Sequence, residues 1–389
     1  MILFTHSNFL EQDPKQKAKM KPYAPLSTLI AAAFVRSGGH DVALFDATFA
    51  PDVEAFEAAL DRYKPTAVAL MEDNFNFLTK MCTTVRRESA LAMIRAAAAR
   101  GCRVAANGPD VTDNPALYLA AGADAVVLGE GESALLDLVD HWRHGEGHVD
   151  AIAGLMLAGP GGPQATRPRR AAQDLDALPH PAWDLVDVAE YRAAWKGAHG
   201  EFSWNVATSR GCPYSCNWCA KPTFGRRYNV RSPEDAAREM ERLKRHVAPD
   251  HIWFADDIFG LDVEWVCGFA EEVVRNRAVI PFTMQSRVNL MTERAVAALA
   301  EAGAREVWLG VESGSQTIID LMDKGSTVDA ARTATHLLQS YGIRACWFIQ
   351  LGYPSETWDD LIATRDLIRD EQPDEIGVSV AYPLGHRIP

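Results

Sequence analysis

The stretch SRGCPYSCNWCAKP, Ser209 to Pro222, carries Cys212, Cys216 and Cys219 in the spacing C-x3-C-x2-C. The next cysteine is Cys267, well outside the run. Thiolates are soft ligands suited to iron–sulfur clusters or zinc. Three of them on one loop can hold three irons of a [4Fe–4S] cluster and leave the fourth iron open. A catalytic zinc likewise keeps an open coordination position. The rival is a zinc site completed by a histidine, Cys267 or Cys346. Structural zinc usually takes paired C-x2–4-C units, and nothing here matches a second unit. The missing fourth cysteine therefore reads as a vacancy for a ligand.

These cysteines sit in a chain of 389 residues, long enough for two domains. It is 48% hydrophobic and 23% charged, which suits a globular protein. Asp and Glu outnumber Lys and Arg by 52 to 39, for a net charge of −13. Phosphate binding wants a basic face, so no nucleic-acid partner is expected. MILFTHSNFL has no basic leader and no long apolar run, and no stretch reaches about 18 apolar residues. Neither a signal peptide nor a membrane span is expected. Seven cysteines then point to a reducing cytoplasm, where clustered thiols mean metal or redox chemistry rather than disulfides.

The elements that must position the cysteines follow from periodicity. Residues 1–145 alternate about five strands with helices, the pattern of a doubly wound parallel sheet. Strands are expected at Ile2 to Thr5, Asp41 to Asp46, Thr66 to Met71, RVAAN and DAVVLG. Helices are expected at Leu26 to Ser37, Val53 to Tyr63, Ser89 to Arg100, Pro115 to Ala121 and Ser133 to His144. Such sheets bind ligands outside the carboxyl ends of their strands. The candidate loops are MEDNFNF (71–77, with Asp73), NGPDVT (107–112, with Asn107 and Gly108) and GEGE (129–132, with Gly129, Glu130 and Gly131). A Pro-, Gly- and Arg-rich linker is expected between about 146 and 200, including GPGGPQATRPRR and an extended DLDALPHPAWDLVD. From residue 201, six βα-type strands follow, short of a full eight-stranded barrel. The first strand runs into the cysteine loop. The next helix starts at Ser232 and Pro233 and buries Ala236, Met240, Leu243 and Val247.

The triplet, with the aromatic Trp218 before its last cysteine, resembles the radical SAM superfamily. In that family the open iron chelates the amino and carboxylate groups of S-adenosylmethionine (SAM), and one electron cleaves SAM to methionine and a 5′-deoxyadenosyl radical. The six strands agree with that family's partial (βα)6 TIM barrel. FADDIF (254–259) resembles the second-strand segment and MQSRVN (284–289), with Arg287, the third. LGVESGS (309–315) resembles the fourth strand, whose Glu and Ser, here Glu312 and Ser313, touch SAM. FIQLGYPSET (348–357) resembles the segment beside adenine. The structural alternatives are strand-end polar caps for Asp256, Asp257 and Glu312, a salt bridge for Arg287, and packing against the cluster for Trp218.

Residues 1–145 resemble the Rossmann-like cobalamin-binding domain placed before many radical SAM domains. The D-x-H-x-x-G motif that gives cobalt a histidine is absent. The resemblance therefore implies cobalamin held without a protein histidine. Methylthiotransferases carry three further cluster cysteines in that domain, whereas only Cys82 and Cys102 lie there here. Relatives run on past the sixth strand, but this sequence reads AYPLGHRIP and stops at Pro389, so either a truncated or a diverged C-terminal end is expected. The implied activity is methylation of an unactivated carbon of a small-molecule substrate. The cofactors would be a [4Fe–4S] cluster, SAM and cobalamin, with an external electron donor such as flavodoxin or ferredoxin. A second reading is oxidative cyclisation, as in anaerobic magnesium-protoporphyrin ester cyclases. A third, from another class, is a non-catalytic iron–sulfur or cobalamin-binding protein.

Overall fold

The computed structural model describes residues 1–76, 83–219 and 224–381. The chain divides into two compact units, the first built on Met1–Phe202 and the second taking all but a few residues of the chain from Ser203 onward.

The first unit is built on seven strands: β1 (Ile2–Thr5), β2 (Val42–Phe45), β3 (Ala67–Met71), β4 (Arg103–Asn107), β5 (Ala125–Val127), β6 (Leu155–Gly159) and β7 (Gly162–Ala165). Their order is β2-β1-β3-β4-β5-β6-β7, and the first five are parallel. Side chains alternate between the two faces, as the strand repeat requires. Leu3, Val68, Leu70, Val104 and Ala106 pack on one face with Phe56 and Leu60 of the Val53–Tyr63 helix and Met93 and Ile94 of the Thr83–Ala99 helix. Phe4, Ala69, Met71 and Ala105 pack on the other with Val35 of the Leu26–Ser37 helix and Leu135 and Leu138 of the Glu132–His144 helix. This is the doubly wound sheet expected from the alternation.

Three local expectations change. The Thr83–Ala99 helix begins well before Ser89, because its first turns are polar and carry no apolar stripe to read. Pro109–Asp113, expected as loop, is a helical turn opened by Pro109, and Arg87 Nε (2.7 Å) and Tyr118 Oη (2.6 Å) both donate to Asp110. The Gly- and Pro-rich stretch expected as linker forms the β6–β7 hairpin, and β6 extends the sheet antiparallel to β5. The Val188–His199 helix also belongs to this unit. Its buried Tyr191 donates to Asp46 Oδ2 and accepts from Thr48 Oγ1, both at 2.9 Å, and Trp195 Nε1 donates to Pro22 O at 2.6 Å. Cys82 lies outside the described residues, as does most of AYPLGHRIP.

The second unit has six parallel strands side by side in chain order: β8 (Ser203–Val206), β11 (His251–Phe254), β12 (Phe282–Ser286), β13 (Ala304–Glu312), β14 (Arg344–Leu351) and β15 (Glu375–Val380). A two-stranded antiparallel pair, β9 (Ser209–Arg210) with β10 (Asn229–Val230), stands apart from that sheet. The Pro233–His246 helix is capped by Ser232 and buries Ala236, Met240 and Leu243, with Val247 buried just after it. This is the expected run of six βα-type strands.

The Tyr191 hydroxyl ties the Val188–His199 helix to the loop after β2. Tyr191→Phe removes both hydrogen bonds and keeps the ring. It is expected to lower stability by about 1–2 kcal/mol, read as a lower urea midpoint for the transition of the first unit.

Candidate functional site

The carboxyl ends of β8, β11, β12, β13 and β14 carry the residues expected to do chemistry. Asp256, just past β11, is fully buried. Its carboxylate accepts from Thr208 Oγ1 (2.7 Å), Ser209 Oγ (2.5 Å) and the Thr208 amide (3.1 Å). Asp256 is thus a strand-end cap, and what it caps is the start of the cysteine loop. Burial pushes its carboxyl up to about 6, despite the stabilising bonds from Ser209 and Thr208. The β9–β10 pair closes the loop across its base.

Cys212, Cys216 and Cys219 form no disulfide, and each is partly accessible. A turn joins two of them, with the Cys219 amide donating to Cys216 O at 3.3 Å. Asn217 fastens the loop to the turn after the Gln316–Leu321 helix. Its amide donates to Met322 O at 3.1 Å, its Nδ2 donates to Leu321 O at 2.7 Å, and its Oδ1 accepts from Tyr353 Oη at 2.8 Å. Arg287, just past β12, reaches the same loop. Its Nη1 donates to Cys216 Sγ at 3.4 Å and its guanidinium lies 3.7 Å from the Tyr214 ring centroid. It makes no ion pair among the described residues, so the salt-bridge alternative does not hold.

The other described cysteines are engaged elsewhere. Cys102 donates to Pro65 O at 3.3 Å, Cys267 lies against Arg294, and Cys346 is buried beside Glu306, its thiol pushed well up by desolvation. The donor set therefore fits a cluster with three protein thiolates and one open iron.

Glu312 ends β13 with φ 70°, in the left-handed region, where the register with β14 also shifts. A non-glycine residue held there stores strain of about 1–3 kcal/mol. Lys324 donates from Nζ to Glu312 Oε1 at 2.6 Å, and both side chains are only 5% exposed. Gly310 leaves room for this pair: a Cβ there would stand 2.6 Å from Lys324 Nζ and 2.8 Å from Glu312 Oε1. Arg287 Nη2 donates to Lys324 O, which links the pair to the cysteine loop. Ser313 Oγ accepts from the Ser315 amide at 3.1 Å and lies 3.2 Å from Thr364 Oγ1.

Trp218 packs on Ile318, Met322 and Tyr353, with Lys324 Nζ 5.7 Å from its ring centroid. Its buried indole N–H has no partner among the described residues, nor has Gln350 Oε1 on β14. Buried polar atoms are normally paired. These two, beside the Glu312–Lys324 pair, are what a polar nucleoside ligand would satisfy. Lys324, Asn217 and Tyr353 escaped the sequence reading. Lys324 is an ordinary turn lysine until its pairing with Glu312 is seen.

In the first unit the three expected loops meet at the ends of β3, β4 and β5. Asn107 is fully buried and pins them together. Its Nδ2 donates to Val127 O (2.8 Å) and Gly129 O (3.1 Å), and its Oδ1 accepts from Asn74 Nδ2 (3.1 Å). Asp73 Oδ1 accepts from the Ser27 and Phe75 amides at 3.1 and 3.2 Å, and burial pushes its carboxyl up. Gly108 sits at φ 149°, where a Cβ would fall 2.7 Å from Glu72 Cβ, so only glycine lets the β4 turn close on the β3 loop. Gly129 borders open space, Glu130 Oε2 accepts from the Ala172 amide at 3.2 Å, and Gly131 precedes the Glu132–His144 helix.

A parallel sheet bearing polar loops at its carboxyl ends, joined in sequence to a six-stranded βα unit bearing a three-cysteine loop, defines a two-domain metallocofactor protein. The sequence model of the radical SAM superfamily matches residues 206–368, and that of the B12 binding domain matches residues 21–139. The chain therefore carries a radical SAM domain preceded by a B12-binding domain. The uncharacterized methyltransferase PH0819 of Pyrococcus horikoshii is 31% identical over 283 residues, which are 72% of this chain and 60% of that protein. The anaerobic magnesium-protoporphyrin IX monomethyl ester cyclase of Rubrivivax gelatinosus is 28% identical over 259 residues, 64% of this chain and 45% of the cyclase. The chain thus spans 60% or less of either curated relative. The radical S-adenosylmethionine methyltransferase TsrM of Kitasatospora setae has the same fold. Its TM-score is 0.78 at 21% identity, over 97% of this chain and 72% of TsrM.

Lys324→Met leaves Glu312 buried without its counter-charge and is expected to cost about 3–5 kcal/mol. Adding Glu312→Gln should recover most of that loss, read by urea unfolding of the second unit. Asp256 sets a pH dependence. Its folded value lies near 6, above the ordinary carboxyl range, so the folded state holds its proton where the unfolded chain has released it. That contribution is fully present below the ordinary value and is lost as pH rises through about 6. Asp256→Asn is expected to flatten the decline in unfolding free energy across that window.

Proposed function

We propose that the protein is a cobalamin-dependent radical SAM enzyme that methylates an unactivated carbon of a small-molecule substrate. The observation that carries this reading is the set of three partly accessible cysteines on one loop, none of them in a disulfide. Cys212, Cys216 and Cys219 would hold a [4Fe–4S] cluster. Trp218, Arg287, Glu312 and Ser313 would bind SAM. Asp73, Asn107, Gly108, Gly129, Glu130 and Gly131 would line the cobalamin site. When bound, these groups supply reductive cleavage of SAM to a 5′-deoxyadenosyl radical and a carrier for the methyl group.

The chain's own residues prepare that chemistry. Arg287 donates to the Cys216 sulfur, and hydrogen bonds to thiolate ligands are one of the levers that set a cluster's reduction potential. Lys324 pairs with the buried Glu312, and its carbonyl accepts from Arg287, which also reaches Cys216. The electron would come from an external donor such as flavodoxin or ferredoxin, in a reducing cytoplasm. No described helix is long and apolar enough to cross a membrane.

A methyltransferase relative at 31% identity favours methylation, and the cyclase reading is weaker, at 28% identity over a smaller share of that protein. A non-catalytic electron carrier would saturate all four irons with protein ligands, which this set of cysteines does not supply.

Anaerobically reconstituted protein is expected to bind about four irons and four sulfides. With strong reductant and SAM it should release 5′-deoxyadenosine, measured by chromatography, whether or not cobalamin is present. The C212A/C216A/C219A protein should keep its far-UV circular dichroism and lose both the cluster and the product. A loaded cluster that leaves SAM intact would count against the reading.

A further inference from the structure

The parallel order β2-β1-β3 places a topological switch point between β1 and β3, and ligands of such sheets enter the crevice outside the strands' carboxyl ends there. A small pocket opens at that point, lined by His6, Asn8, Tyr23, Glu72, Asp73 and Asn76 among others, with room for about one water-sized group. That is far below what a whole drug-sized ligand needs. It suits the tip of one arm of something larger.

The polar groups around it are nearly all spent on one another. His6 accepts the Asn8 amide at Nδ1 (3.2 Å), so it donates from Nε2 to Asp46 Oδ1 (3.0 Å). Both of its nitrogens are occupied, and it offers no lone pair to a metal. Asp73 is committed to the Ser27 and Phe75 amides. Glu72 differs. Its Oε1 accepts the Ser7 amide at 3.1 Å, but its Oε2 is buried with no partner among the described residues, and the side chain belongs to a residue only 7% exposed. Leaving a buried carboxylate oxygen unmatched is costly. A ligand that donates to it is the natural remedy.

We propose that Glu72 is a specificity-determining residue of the cobalamin site, its free oxygen accepting an N–H from the carboxamide of one propionamide arm (b, d or e) of the corrin. This rests on the cobalamin reading above. A corrin is rimmed by such carboxamides, and the NH2 tip of a terminal amide is water-sized and brings the donor that Glu72 lacks. The same chemistry fits the ammonium group of a substrate, and the same hole fits a single water. The carboxamide is favoured because Glu72 abuts the cobalamin loops directly: its amide donates to Asn107 O at 3.0 Å and its Cβ crowds Gly108.

The test uses the full chain and four corrinoids: hydroxocobalamin and its b-, d- and e-monocarboxylates, in which one amide becomes a carboxylate. Dissociation constants are read by absorbance titration. Wild-type protein should bind one monocarboxylate at least about tenfold more weakly than hydroxocobalamin, because that carboxylate would face Glu72. In Glu72→Gln, the glutamine Oε1 can still accept from Ser7 and its Nε2 becomes a donor toward the pocket. The penalty on that one corrinoid should then vanish or invert, while the other two keep their wild-type affinities. Equal binding of all four by the wild type overturns the proposal and leaves an ammonium or a water as the occupant. An unchanged ranking in Glu72→Gln overturns it as well. Failure of the wild type to bind hydroxocobalamin at all overturns the cobalamin reading beneath it.

Discussion

Three thiolates that must converge have to be held by a loop with no regular structure between β9 and β10 in its described part. The second unit is arranged around that constraint. Asp256 grips the entry of the loop through Thr208 and Ser209, and the β9–β10 pair closes its base. Asn217 and Tyr353 fasten its middle to Leu321, and Arg287 touches Cys216 from the end of β12. Each clamp comes from the carboxyl end of a different strand or the turn beyond it. A parallel βα architecture delivers such groups in quantity, because every strand ends on the same side.

The second cost lies in buried charge. Glu312 and Lys324 are almost wholly withdrawn from water, and such a pair is weak support for stability against apolar side chains of equal volume. Glu312 also sits in a left-handed conformation. A strained, ion-paired carboxylate linked through Lys324 and Arg287 to the cysteine loop is poorly explained by packing and well explained by a ligand site. Glu72 in the first unit follows the same logic, as a carboxylate kept half unpaired at a switch point.

Much of this was legible in the sequence, and the gaps have physical reasons. Helices with an apolar stripe, such as Val53–Tyr63 and Pro233–His246, were readable almost to their ends, because burial fixes the period. The polar opening of the Thr83–Ala99 helix carries no such stripe. The β6–β7 hairpin hid in glycine- and proline-rich composition that reads equally as linker. The cysteine triplet was plain because its ligands are adjacent in sequence. Lys324 was not, since it lies 12 residues from Glu312 and only the fold joins them. The loop after β3 was recognised as ligand-facing through Asp73. Which of its two carboxylates has an oxygen to spare depends on side-chain hydrogen bonds that no spacing records.

The central claim is that the cysteine loop leaves one iron of four without a protein ligand. Mössbauer spectroscopy of the protein reconstituted with iron-57 tests this most directly. The account predicts a spectrum in which one iron of the four changes its isomer shift and quadrupole splitting when SAM is added, while the other three stay as they were. Four irons that are unaffected by SAM, or a cluster retained in full after the three cysteines are replaced, would contradict it.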